Sequence, residues 1–300
     1  MAISALYWIA ADGTTIDLLH GDGYRALELP VGVGMTPWRW EQLPSPEGHG
    51  ALLTTAYAGV RTVDVPVLVY GPDFAARWAA LAGALNPGGG DGTLRVVRSD
   101  GKVRDLVCRY VSGLERANRN AMDADEGGVI LPDGTTAVGR WAVAPLSFQA
   151  AEPFWLGNAV TVTFSPDEQT VFFPILPVNL SPVGIYSSAK VENAGDVAAW
   201  PVWTIRGPGE ALRLENVDTG EVFALDYTLL DGEAVTIDAR PGRKVVTSSL
   251  GGDLWGRVTA WQMWAIGAGG ATVRVSLGNT GDNTQVSLWY RPRYVAVGRG

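Results

Sequence analysis

The clearest hydrophobic pattern lies at 61–70, where Val63, Val65, Val67 and Val69 recur at every second position and so share one face of a strand. Pro66 inside it removes one backbone donor, which suits an edge strand or a bulge. The period then lengthens. Phe74, Trp78, Leu81 and Leu85 fall at i, i+4, i+7 and i+11, a single apolar stripe along a helix. Gly71-Pro72-Asp73 starts this helix, and Asn86-Pro87 followed by glycines ends it. Among strands, such an amphipathic helix covers an open sheet face.

Strand signals surround that pair. Ile3–Ala10, the turn Ala11-Asp12-Gly13 and Thr14–Leu19 read as a hairpin. So do Thr93–Ser99, Asp100-Gly101 and Val103–Leu114. Arg140–Gln149 returns as a strand, and Pro153-Phe154-Trp155 closes this half as an aromatic plug. Residues Gly32–Gly50 show no clear period and read as a long loop or arm. Its Trp38 and Trp40 either fold back on the core, the simpler reading, or dock on a neighbour. The polar, Gly-rich stretch Arg116–Thr136 reads as a long hairpin tip.

From Val160 the cadence changes to short strands with turns about every ten residues, the rhythm of a β-sandwich. The expected strands are Val160–Phe164, Thr170–Phe173, Ala189–Asn193, Val202–Arg206, Ala211–Asn216, Glu221–Leu229, Ala234–Asp238, Arg243–Val246, Gln262–Ala265, Thr272–Leu277 and Thr284–Tyr290. The chain is therefore all-β with one helix, in two domains, 1–157 and 158–300. The two are read as separable, so that removing residues 160–300 leaves the first intact.

Composition narrows the function. Hydrophobic residues make up 47% and charged residues 18%, a globular balance. With 31 acids against 23 bases, net charge −8, the chain as a whole gains no counterion-release affinity for nucleic acid. No apolar run is long enough to span a bilayer, and the start lacks a basic signal region, so a soluble protein made in a cytoplasm is expected. The Asn179-Leu180-Ser181 sequon then carries no weight. The single Cys108 forms no intrachain disulfide and reads as a small buried hydrophobe.

Candidate chemistry is thin. Asp218-Thr219-Gly220 matches an aspartic-protease triplet, but one copy sits where a hairpin turn is expected. His20 and His49 lie in Gly-flanked loops, and with Cys108 they fall short of a zinc site. Gly88–Gly92 follows a helix and precedes a strand, the reverse of a phosphate cradle. Asp123, Asp125 and Glu126 read as a solvated acidic tip. No catalytic residue, cofactor or metal is expected. Trp200, Trp203, Trp255, Trp261, Trp264 and Trp289 are candidates for stacking on sugar rings, with core packing the better reading for most.

Several motifs, in order, carry a resemblance. They include Val65–Gly71, the helix through Leu85-Asn86-Pro87, Cys108-Arg109-Tyr110 and the Pro153-Phe154-Trp155 ending. In the second half come Asn193-Ala-Gly195-Asp196, Trp200-Pro-Val-Trp203, Gly207-Pro208, Gly232-Glu233 and Tyr290-Arg-Pro-Arg-Tyr294. Together they resemble the distal tail proteins of long-tailed phages, of the actinobacterial-host group. Ile266–Gly270 departs, where a Leu-x-Pro-Gly-x-Asn type of turn is expected.

The resemblance implies a ring-forming N-terminal β-sandwich or split barrel with one helix, and an outer galectin-like jelly roll. It implies a six-fold homo-oligomeric ring in the virion tail tip, assembled in the host cytoplasm and joining the tail tube to the baseplate hub. Partners would be the tail tube, tape measure and hub (tail-associated) proteins. Trp38, Trp40, Val63, Val65, Phe74, Trp78 and Trp155 are the expected assembly residues. Trp200, Trp203 and Trp289 are the expected scaffold of the outer domain. The rival reading is a carbohydrate-binding module or glycoside hydrolase acting on host wall glycan.

Overall fold

The computed structural model describes residues 2–45, 48–117, 128–131, 134–166 and 184–298. The chain divides into two compact units. One comprises Met1–Gly157 together with Tyr294–Arg299, the other Asn158–Arg293. The first unit is thus discontinuous, and a cut at residue 160 removes part of it. That corrects the expectation that residues beyond 160 are dispensable to it.

The first unit contains β1 (Ile3–Ile9), β2 (Thr15–Asp17), β3 (Tyr24–Ala26), β4 (Trp38–Pro44), β5 (Ala51–Ala58), β6 (Arg61–Tyr70), α1 (Phe74–Ala84), β7 (Gly92–Arg98), β8 (Val103–Ser112), β9 (Gly128–Ile130), β10 (Thr136–Val138), β11 (Trp141–Ala150) and β12 (Trp155–Leu156). An antiparallel sheet in the order β2-β1-β7-β8-β11-β6-β3 curls into a nearly closed barrel. Its interior holds Leu6, Trp8, Val63, Val65, Val67, Val69, Leu94, Leu106, Leu146 and Phe148. The helix seals this core through Phe74, Leu81 and Ala84. Trp8 locks the helix end, its indole N–H donating to the Ala84 carbonyl at 2.7 Å while its ring lies 4.8 Å from Phe148. Asp73 occupies the N-cap without a side-chain capping bond.

Two expectations change here. Strand β6 is not an edge: all ten of its residues pair with β11, and Val67–Val69 also pair with β3. Pro66 is tolerated because it sits opposite Pro145, so the missing donors fall on a single rung. The arm at 38–58 is not a loop. β4 and β5 form an antiparallel hairpin that, among the described residues, pairs with no other strand. The alternation Trp38-Arg39-Trp40-Glu41 was present but masked by the surrounding Gly and Pro. Within the 116–136 stretch, β9 and β10 pair with each other, while Asp123, Asp125 and Glu126 lie outside the described residues.

The second unit contains β13 (Val160–Phe164), β14 (Gly184–Val191), β15 (Val202–Arg206), β16 (Gly209–Asn216), β17 (Glu221–Leu229), β18 (Ala234–Asp238), β19 (Val245–Ser248), β20 (Val258–Trp261), β21 (Ala271–Gly278) and β22 (Gln285–Tyr290). They make two five-stranded antiparallel sheets, β13-β22-β15-β18-β19 and β14-β21-β16-β17-β20. Phe164, Trp203, Ile237 and Leu288 of the first meet Ile185, Leu214, Phe223 and Val275 of the second in one core. The expected strand at 262–265 is displaced to Val258–Trp261. Trp264 instead turns inward, stacking edge-on against Trp203 at 5.6 Å. The expected strand Thr170–Phe173 and the sequon Asn179-Leu180-Ser181 lie outside the described residues.

The Asn193-Ala-Gly-Asp196 motif proves to be a knot. Buried Asn193 donates its amide to the carbonyls of Val197, Ile266 and Gly267, and its oxygen accepts from the Gly195 N–H. A Cβ on Gly195 would lie 2.6 Å from the Arg293 backbone nitrogen, so only glycine allows this approach. The knot also fixes the Ile266–Gly270 turn, which positive φ at Gly269 and Gly270 closes without proline or asparagine.

Candidate assembly surface

The hairpin β4–β5 is amphipathic by register. Trp38 pairs with Ala58, Trp40 with Ala56, Gln42 with Leu53 and Pro44 with Ala51, which places these side chains on one face. The shift between Glu41 and Gln42 keeps Leu53 on that side. The opposite face carries Arg39, Tyr57, Glu41 and Thr55 near the root, and Leu43 and Leu52 near the tip. One face is therefore almost wholly apolar, yet every residue from Trp38 to Pro44 is exposed. The root is closed by the Gly59 N–H donating to the Pro37 carbonyl at 2.7 Å.

Exposed large apolar side chains concentrate here. Leu29, Val31, Met35 and Val60 flank the root, and Trp38, Trp40, Leu43, Leu52, Leu53 and Tyr57 line the hairpin. An isolated two-stranded hairpin is marginal in water. Exposed apolar side chains on an unpaired strand edge are the kind of surface that a partner covers.

The other expected assembly residues lie inside the first unit. Val63, Val65 and Trp155 are fully buried, Phe74 is nearly so, and Trp78 is half-buried, stacked on Phe74 at 5.8 Å. Val63, Val65, Phe74 and Trp155 shape the unit from within, and Trp78 keeps part of its ring at the surface. Trp38 and Trp40, by contrast, do not fold back on the core. Periodicity separated neither group, because alternation reports which face a residue lies on and not whether that face is covered.

Arg61 begins β6 beside the hairpin root and is 1% exposed. Its guanidinium lies over the Trp155 ring at 5.7 Å, and burial lowers its pKa to about 10. Sequence reading gave it no role, since its partners are distant backbone carbonyls and one hydroxyl, which leave no charge pattern in the sequence.

The chemical candidates resolve as structure. Gly220 N–H donates to the Asn216 carbonyl, closing the turn at Asp218, whose carboxylate accepts from the Thr272 N–H at 2.7 Å. Cys108 is buried, and burial pushes its thiol up to about 12, far from any nucleophilic state at neutral pH. His20 and His49 are exposed. Among the described residues no group of three or more His, Cys, Asp or Glu is placed to hold a metal. Nor, among the described residues, is any helix long and apolar enough to cross a membrane.

In the second unit, Trp203 is buried, Trp200 is half-buried, and Trp289 lies under the Arg240 guanidinium at 5.9 Å, as packing residues would. Of the six tryptophans considered for sugar stacking, Trp261 alone is exposed. Buried Glu233 joins two loops, accepting from the hydroxyls of Tyr227 and Ser248 and the Leu230 N–H. Burial alone would raise its pKa, but these hydrogen bonds outweigh that and hold it below its ordinary value.

No protein-family model and no curated protein matches this chain. Among solved structures it is similar to the Dit protein of phage SPP1, described as a paradigm of the hub adsorption apparatus in phages that infect Gram-positive bacteria. The TM-score is 0.63 at 15% identity, over 98% of this chain and 99% of that one. It is also similar to a chain of the phage P2 baseplate in its activated conformation with Ca, with TM-score 0.53 at 10% identity over 96% and 98%. Over 98% of its length, then, this chain shares the fold of the SPP1 Dit protein.

Proposed function

We propose that this chain is a structural, non-enzymatic subunit of a phage tail tip: a distal tail protein that joins the tail tube to the baseplate hub. The observation that carries the reading is the match to SPP1 Dit over nearly the whole of both chains. A borrowed sandwich module would match over one unit only, whereas the match here covers 98% of this chain and 99% of that one. Fold likeness is analogy, and the hairpin supplies the physical argument beside it.

The mechanism is assembly. A head-to-tail contact repeated with a rotation that closes gives a ring, here of six copies. The first unit supplies the ring contacts, with Trp38 and Trp40 of the hairpin face covered by a second copy. Val63, Val65, Phe74, Trp78 and Trp155 hold the unit that presents them. The second unit, scaffolded by Trp200, Trp203 and Trp289, is a separate sandwich available to other tail components. The tail tube, tape measure and hub proteins are the expected partners. Electron microscopy of the purified full-length chain tests this: closed rings with a central lumen are expected, and isolated particles at every concentration would overturn it.

A further inference from the structure

Residues after the second unit return to the hairpin root. The Val297 N–H donates to the Val33 carbonyl at 3.1 Å. The Val295 carbonyl accepts both the Thr36 hydroxyl at 3.0 Å and Arg61 Nη2 at 2.8 Å. Arg61 spends its remaining donors on the carbonyls of Pro153, Gly32 and Gly34, and on the Thr36 hydroxyl at 2.8 Å. A planar fork of five donors can hold several chain segments at once, which a lysine cannot. Arg104 lies 3.6 Å over the Tyr294 ring, and Val297 is fully buried.

The segments held together are the ones that fix the hairpin. Gly32, Val33, Gly34 and Thr36 lead into β4, and Arg61 follows β5 directly. Gly32 is required there: its φ is +88, and a Cβ would lie 2.1 Å from the Thr62 carbonyl oxygen. Both roots of the exposed hairpin are thus tied to a strap, residues 294–298, that follows the whole second unit in sequence.

We propose that this strap is an assembly latch. Docked, it sets the hairpin root so that the Trp38/Trp40 face meets a second copy of the chain. Undocked, it frees Val33 and Thr36 from residues 295–297, loosens the hairpin root between the Val31–Asp64 bridge and β4, and leaves the chain unable to associate. The strap cannot dock before the second unit has been made, so assembly waits for a chain complete through residue 298. The latch rests on the proposed self-association.

The test uses three full-length variants. Val297→Asp places a charge in the strap's buried position and releases it. Thr36→Val keeps the shape and removes the hydroxyl. Arg61→Lys keeps the charge and loses the fork. Hydrogen exchange at residues 31–60 and sedimentation velocity are read together, without and with a synthetic peptide of residues 293–300. Losing one or two buried hydrogen bonds predicts exchange at the root about ten-fold faster in Thr36→Val and Arg61→Lys, with the second unit unchanged. Val297→Asp is expected to remain monomeric, and excess peptide to slow its root exchange and restore association. Root exchange unchanged in all three variants, or Val297→Asp assembling as the parent does, would overturn the latch. A parent chain that never associates would overturn the proposed function instead; the exchange and peptide readouts would still decide whether the strap anchors the root.

Discussion

The double substitution Trp38→Ser/Trp40→Ser separates assembly from folding. The two side chains are 42% and 56% exposed within the subunit. With about 250 Å² per tryptophan side chain, they leave roughly 240 Å² for a neighbour to cover. At about 25 cal/mol per Å² that is up to about 6 kcal/mol per contact. Ordering the hairpin against a neighbour offsets part of it, so about 3 kcal/mol is a fair expectation for the loss. That weakens each contact about a hundred-fold. Among the described residues the hairpin pairs with no other strand, and the substitution should cost only about 0.5–1 kcal/mol. Sedimentation velocity across a concentration series, with thermal unfolding in parallel, reads both terms. Association should collapse while the melting temperature shifts by a few degrees at most. Unchanged association at an unchanged melting temperature would refute the reasoning, and so would loss of the fold itself.

Other consequences are direct. Trp203→Ala should destabilise the second unit by about 3–5 kcal/mol, because the side chain fills the sandwich core against Trp264; Trp261→Ala, at a 74% exposed position, should leave its denaturation midpoint almost unmoved. Gly113→Ala should destabilise the first unit by several kcal/mol on the scale of ~1–3 for backbone strain plus overpacking, since φ is +132 and the new Cβ would meet the Pro145 carbonyl oxygen at 2.2 Å; chemical denaturation measures it. Burial pushes Glu233 and Asp238 upward, but hydrogen bonds from Ser248, Leu230 and Tyr227 to one, and from Arg240 to the other, hold both below their ordinary 4.5 and 3.8. The unfolded chain therefore binds protons first. Their stabilising contribution is complete above those values and drains as pH falls through them. Asp238→Asn should flatten the fall in the second unit's melting temperature as pH drops below the ordinary aspartate value of 3.8.

Much of this fold was legible as periodicity. The alternating valines of β6 and the stripe from Phe74 to Leu85 gave the barrel wall and its helix almost to the residue. Strands such as Val160–Phe164 and Glu221–Leu229 were bounded by their turns. The hairpin at 38–58 was not legible, because one irregularity shifts its register and its apolar face has no core to announce it. The strap at 294–298 was not legible either. Its role rests on backbone carbonyls, which any side chain can carry, and on an arginine more than two hundred residues away. Buried Trp155 and exposed Trp40 look alike as letters; only packing tells a pillar from a contact.

In the proposed assembly, copies of this chain close on one another. Native mass spectrometry of the full-length protein, over a wide concentration range, tests it most directly. A closed ring predicts one dominant species of six chains that stops growing as concentration rises. A monomer that persists throughout, or an open ladder of ever larger species, would contradict it.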